Sequence, residues 1–325
     1  MLPAQRRLLL LVLQSTDIGR ESNMNRIIID TDIGTDVDDA MALALAMRSP
    51  EIVLEGVTTV YGDVDLRARM AKKMLQLGKR EDVRVFAGIQ EPLLRRREVW
   101  MAGHEGKGVL TENDYLEYEQ KHAVDFIIET VMANPGQITL VPIGPLTNIA
   151  ASLIREPELA SSVKEIILMG GVTRLGDNGL QLGTLEHNII CDPEAAAVVF
   201  ESGAPIVMAG YDVTLKVIIT DDERRRLQQT GDPLNMALAG LLEEWFAFVK
   251  QPQTCMHDPL TVSLLIDRTL VKTKKMKIHV EYDHRPRTGQ TVAVLADDGN
   301  VEVCLDVDQD RFITLLMDRL INNKT

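Results

Sequence analysis

Ile27-Ile28-Ile29-Asp30-Thr31-Asp32-Ile33-Gly34-Thr35-Asp36-Val37-Asp38-Asp39-Ala40 is the stretch that decides how this chain is read. It opens on an apolar β-branched triplet, carries five carboxylates within ten residues, and leads into a helix-forming run from Ala40 to Met47. The triplet reads as a buried strand, and the acidic run as the loop and first helical turn at its carboxyl end. Open α/β sheets place their ligands at that end. Carboxylates this crowded repel one another by roughly 1 to 3 kcal/mol per pair at about 5 Å. A helix N-terminus relieves part of that for the later acids, but Asp30 and Asp32 precede the helix and gain less. A hard cation with oxygen ligands, calcium or magnesium, is the natural remedy. An acidic cap on a surface helix would need far fewer acids than this.

The rest of the chain bounds the setting. Its 325 residues can bury a substantial core, and the formal charge of −13 disfavours non-specific attraction to nucleic acid or an anionic membrane. A small neutral or cationic substrate fits better. Cys191, Cys255 and Cys304 are odd in number and widely spaced, which suggests neither a disulfide framework nor a zinc site and suits a cytoplasmic protein. Arg6 to Leu13 imitates a signal peptide, but its apolar run is short and no convincing cleavage site follows. Residues 1–23 are read as a disordered extension, and 24–325 as one catalytic domain with no spanning segment.

Strand and helix patterns alternate through the first two-thirds, so the expected fold is α/β: an open, mostly parallel central sheet with helices on both faces. Strands are expected at Ile27 to Asp30, Ile52 to Val60, Val83 to Ala87, Ile138 to Ile143, Glu165 to Met169 and Ile206 to Ala209. Helices are expected at Asp38 to Met47, Leu66 to Leu77, Ala123 to Met132, Leu146 to Leu153 and Pro193 to Phe200. Later come helices at Pro233 to Val249 and Asp258 to Ile266, and a C-terminal β-hairpin of Gln290 to Leu295 with Val301 to Leu305. A last helix runs from Arg311 to Ile321. Arg95 to Tyr118 is polar and without period, which suits a lid over a site.

Further polar turns follow apolar runs: Ile143-Gly144-Pro145-Leu146-Thr147-Asn148, Gly170-Gly171, Glu186-His187-Asn188 before Asp192-Pro193-Glu194, and His257-Asp258-Pro259. In this order, with the aspartate cluster, they resemble the inosine-uridine preferring nucleoside hydrolases, calcium-dependent N-ribohydrolases with a Rossmann-related fold. The resemblance runs from about Arg26 to the C-terminus. It implies a ribonucleoside substrate, a homodimer or homotetramer, and Ca2+ held by Asp32, Asp39, the carbonyl of Ile143 and Asp258. It also implies that Asp32 is the general base toward a calcium-bound water, and that His257 donates a proton to the leaving base, for which a near-neutral imidazole is suited. Asp38, Glu186 and Asn188 would hold ribose hydroxyls.

The chain also departs from the family pattern. The first motif is two residues longer than the commonest form, Asp-x-Asp-x-Gly-x-Asp-Asp, so Asp36 is an alternative metal ligand. Leu180 replaces a frequent asparagine, with Asn178 nearby as a substitute for sugar binding. Asp63 stands where asparagine is frequent, and His187 where an aromatic is frequent; both would make the pocket more polar and favour a hydrophilic or cationic leaving group. His104 is a further candidate contact from the lid. Trp245 is read as core and Trp100 as a lid residue. Two rival readings are a haloacid dehalogenase-type phosphohydrolase with Asp30 as nucleophile, and a non-catalytic riboside-binding protein. The first leaves Glu186-His187-Asn188 and His257-Asp258-Pro259 unexplained.

Overall fold

The structure is a computed structural model that describes residues 24–111, 114–176, 179–283 and 288–322. The Ile27–Ile29 triplet forms the middle of β1 (Asn25–Thr31), and all three side chains are fully buried. Ile27 and Ile29 pack into one helical layer and Ile28 into the other, because successive strand residues point to opposite faces. Each such side chain contributes roughly 1.5 to 3 kcal/mol of burial, which is why a β-branched run without alternation marks a central strand.

The remaining strands are β2 (Ile52–Thr59), β3 (Val85–Ala87), β4 (Ile138–Pro142), β5 (Glu165–Met169), β6 (Ile206–Ala209), β7 (Ile218–Thr220), β8 (Gln253–Cys255), β9 (Val271–Val280), β10 (Thr291–Leu295) and β11 (Val301–Val307). Nine of them form one sheet in the order β10-β9-β11-β6-β5-β4-β1-β2-β3, while β7 and β8 pair separately. Only β9 runs against the other strands of the large sheet. Helices Asp38–Met47, Val64–Leu77, Pro233–Val249, His257–Ser263 and Gln309–Ile321 contribute to one core layer, and Ala123–Ala133, Thr147–Arg155 and Pro193–Glu201 to the other. The strand order reverses between β1 and β4, which pair in parallel with Asp30 beside Pro142. That switch point opens the crevice in which the acidic run sits.

The expected C-terminal hairpin exists with different partners. β10 and β11 both pair antiparallel with β9 and lie on opposite sides of it. The connection between them therefore crosses β9, and Gly299 allows the close passage, since a Cβ there would lie 2.3 Å from the Met276 carbonyl oxygen. Strand β9 itself is hidden in the sequence by lysines; only Met276, Ile278 and Val280 show the alternating buried face. The helix Asp221–Gln229, opened by a Thr220/Glu223 capping box, also goes unanticipated. Arg95 to Tyr118 contains no helix or strand within its described residues, as expected. Among the described residues no helix is long and apolar enough to cross a membrane, and all three cysteines are free.

Candidate active site

β1 and β4 end side by side, so Asp32 and Ile143 arrive at the same place from different segments. Gly144 makes the approach possible: a Cβ on it would lie 2.7 Å from Asp32 Oδ1 and 2.9 Å from the Asp32 nitrogen. The turn beyond β1 is held by Thr31, whose hydroxyl donates to Asp39 and accepts the Ile33 N–H at 3.0 Å. Asp38 and Asp39 occupy the first turn of helix Asp38–Met47, and Asp258 the first turn of helix His257–Ser263. The Asp258 N–H donates to Asp38 Oδ2 at 3.3 Å, which draws the two helix starts together.

Asp32, Asp36, Asp38, Asp39 and Asp258 line one cavity of about 310 Å³. Carboxylate oxygens of Asp36, Asp38 and Asp39 all lie within 4.8 Å of one another. Burial, with repulsion between neighbouring carboxylates, pushes Asp36, Asp39 and Asp258 well above the usual range and Asp38 to about 6. Asp36 and Asp38 also share a hydrogen bond between their carboxyl groups, which raises Asp36 and lowers Asp38. Such a set of oxygen donors, held at the expense of charge repulsion, fits a hard divalent cation.

A second part of the cavity lining comes from β5 and the segment after it. Glu186 is the cap of helix His187–Cys191, and its carboxylate accepts N–H groups from Gly171 at 2.9 Å, Asn188 at 2.8 Å and Ile189 at 3.0 Å. Burial raises its carboxyl above the usual range, and these three donors pull it back. Asn188 donates from its side chain to the Ile143 carbonyl at 2.9 Å, so the expected carbonyl ligand and the expected sugar contact touch directly.

Another part of the lining is aromatic. Trp100, His187, Tyr211, Trp245 and His257 form it. The Trp100 and His187 rings meet edge to face at 5.9 Å, and Tyr211 tilts against His257 at 5.4 Å. His257 Nδ1 lies 2.7 Å from the Thr214 hydroxyl. Burial holds this imidazole at about 4, with Asp36 pulling the other way, below the near-neutral value expected from sequence. Trp245 is both core and wall: it packs on the hydrophobic core, stacks with Phe248 at 5.5 Å and borders the cavity.

Of the residues singled out in the sequence, Asp32, Asp36, Asp38, Asp39, Ile143, Glu186, Asn188, His257 and Asp258 come together here. Asp63 does not line the cavity. It caps helix Val64–Leu77, accepting the Leu66 N–H at 2.9 Å, which explains an acid at that position without a ligand. His104 also stays outside the lining, with Nε2 against the Thr35 carbonyl at 2.8 Å and its ring on Phe248. Asn178 lies outside the described residues. Asp30 is fully buried below the cavity, with Oδ1 accepting from Thr58 at 2.6 Å and Asn148 at 2.8 Å, a poor placement for a nucleophile. Tyr211 and Arg67 went unnoticed in the sequence. Gly210-Tyr211 directly follows β6, so the strand-end rule that found Asp32 would have found Tyr211.

Residues 27–314 match the family described as inosine-uridine preferring nucleoside hydrolase. The chain belongs to that family. It is a ribonucleoside hydrolase, an enzyme that cleaves N-glycosyl bonds. It is 35% identical over 302 residues to the pyrimidine-specific ribonucleoside hydrolase RihB of Escherichia coli strain HS, covering 88% of this chain and 94% of the relative. Among solved structures it is similar to the purine-preferring ribonucleoside hydrolase from Gardnerella vaginalis. The TM-score is 0.82 and the identity 31%, covering 92% of this chain and 98% of the other. A plant nucleoside hydrolase, PpNRh1, superposes with a TM-score of 0.80 at 29% identity, covering 91% and 99% of the respective chains.

Proposed function

We propose that this hydrolase cleaves ribonucleosides to ribose and free base with Ca2+ held by Asp32, Asp39, Asp258 and the Ile143 carbonyl, and with Asp32 as the general base. The observation that supports it is the cavity floor, where five carboxylates converge and burial resists the ionisation of Asp36, Asp38, Asp39 and Asp258. Asp36 is the one acid whose place among the ligands is an alternative to Asp39, because its oxygen lies in the same close triad. When bound, calcium lowers the pKa of water and fixes ribose hydroxyls.

Asp32, at the end of β1, accepts the proton of the water that attacks C1′. Asp38, Glu186 and Asn188 hold the ribose hydroxyls, and their hydrogen bonds strengthen as positive charge develops on the sugar. The Thr214 hydroxyl lies 2.7 Å from Nδ1; in the proposed role it donates there, which leaves the neutral His257 ring its proton on Nε2 to hydrogen-bond the base as negative charge moves onto it. Trp100, Tyr211 and Trp245 give the base flat apolar walls and exclude water. The polar preference inferred from Asp63 and His187 rests on His187 and Asp36, since Asp63 is turned into a cap. A cytoplasmic homodimer or homotetramer completes the proposal; the free cysteines accord with a reducing compartment.

The test is ribose release from uridine, cytidine, inosine, adenosine and nicotinamide riboside, comparing wild type with Asp32→Ala. Turnover that disappears in the variant supports the assignment. Full turnover in Asp32→Ala removes Asp32 as the base, and faster turnover of every neutral nucleoside than of nicotinamide riboside removes the cationic preference.

A further inference from the structure

Helix Val64–Leu77 buries Val64, Arg67, Ala68, Met70, Ala71, Met74 and Leu75, so an otherwise apolar set contains one cation. Arg67 is 0% exposed. A guanidinium enclosed this way needs acceptors for its N–H groups, and leaving them unmatched would be costly. Its partners come from the acidic loop and from the turn after β2. Nε donates to the Tyr61 carbonyl at 2.6 Å, Nη1 to the carbonyls of Asp32 and, at 3.1 Å, Ile33, and Nη2 to the Thr35 hydroxyl at 3.2 Å. These acceptors are neutral oxygens, so the fork grips main chain and leaves the carboxylates of the loop free for the cavity.

Thr35 continues the connection. Its hydroxyl lies 3.3 Å from Glu105 Oε1, and its carbonyl 2.8 Å from His104 Nε2. Glu105 in turn accepts the N–H groups of Ala102 at 2.6 Å and Gly103 at 2.8 Å. The Trp100 N–H donates at 3.0 Å to the hydroxyl of Tyr61, the residue whose carbonyl holds Arg67 Nε. The segment that brings Trp100 to the aromatic end of the cavity is thus fastened at both Tyr61 and Thr35, and Arg67 bonds to both.

We propose that Arg67 is a positioning residue for the reaction: its guanidinium fixes the main chain of the acidic loop at Asp32 and Ile33 and, through Thr35 and Tyr61, locks that loop to the segment carrying Trp100. A lysine cannot reproduce this, because one ammonium replaces a planar fork that reaches several acceptors at once. The inference about metal affinity rests on the calcium reading above; the inference about loop order does not.

Two measurements on the full chain decide it. In calcium-free protein, amide hydrogen exchange of residues 32–36 and 100–105 should accelerate together in Arg67→Lys relative to wild type, while the amides of β5 and β6 stay unchanged. In calorimetric titration with calcium, Arg67→Lys and Arg67→Met should lose roughly 10- to 100-fold in affinity, as removal of groups that orient metal ligands commonly does. Thr35→Val, which keeps the shape and deletes the hydroxyl, should loosen 100–105 with less effect on calcium affinity. Should Arg67→Met fail to fold, Arg67→Lys carries the comparison. Unchanged exchange in both segments, or wild-type calcium affinity in Arg67→Lys, would overturn the proposal. If wild type itself binds no calcium, the metal assignment falls, and the exchange data still decide the role of Arg67.

Discussion

The two ends of the cavity are built differently. At the acidic end, Asp32, Asp36, Asp38 and Asp39 come from one loop and helix start, joined by Asp258 from a second helix start, with Arg67, Thr31 and Gly144 shaping the main chain around them. At the aromatic end, Trp100, His187, Tyr211, Trp245 and His257 come from five separate segments, four of them helices and the fifth the irregular stretch that carries Trp100. Under the proposed roles, the metal ligands and the general base are compact in sequence, while the residues facing the leaving base are distributed. Substitutions at the acidic end should therefore act on every substrate alike, and those at the aromatic end should act unevenly across bases.

The largest expected effect is at Asp32. Asp32→Ala should lower kcat by about 10²- to 10⁴-fold for purine and pyrimidine nucleosides equally, with an unchanged circular dichroism spectrum. A loss confined to one base class would break the comparison. His257→Ala should lower kcat by roughly 10²-fold, and more for bases that leave poorly, because the side chain acts on charge developing in the base. Equal losses across a series of leaving groups would assign His257 to the sugar instead. Trp100→Ala and Trp245→Ala should chiefly raise KM, by about 2- to 10-fold, differently for purines and pyrimidines.

The smallest effect concerns pH. Asp30 and Asp38 stand at about 7 and about 6 in the folded, metal-free chain, against 3.8 for an ordinary aspartate. Burial is the main cause for both. The folded state therefore holds more protons than the unfolded state between these values, so metal-free protein loses stability as the pH rises from 3.8 through about 7. Thermal melts in the presence of a chelator should show Tm falling by a few degrees across that window, and calcium should restore it. A Tm that rises with pH would show that these carboxyls ionise freely in the fold.

The same contrast explains what could be read in advance. The core of the sheet was legible because β1, β4, β5 and β6 are buried on both faces and so consist of apolar runs. The acidic cluster was legible because its repulsion is local and needs no knowledge of the fold. The partners of β10 and β11 were not, since a tight Asp298-Gly299 turn between two strands reads as a hairpin, and only the passage over Met276 shows that β9 intervenes. Asp63 is a helix cap outside the cavity lining, and the sequence could not show this because a cap and a ligand both call for a short acid. Arg67 went unnoticed because most of its acceptors are main-chain oxygens, which no side-chain pattern announces.

The central claim is that the five carboxylates are held together to receive a cation that the reaction requires. It is tested most directly by stripping the protein with chelator, adding calcium back in measured steps, and following ribose release from uridine and inosine alongside calorimetric binding. No turnover is expected without metal, and turnover of both substrates should rise in proportion to one tightly bound calcium per chain. Full turnover in the stripped protein, or calcium binding that leaves the rate unchanged, would contradict it.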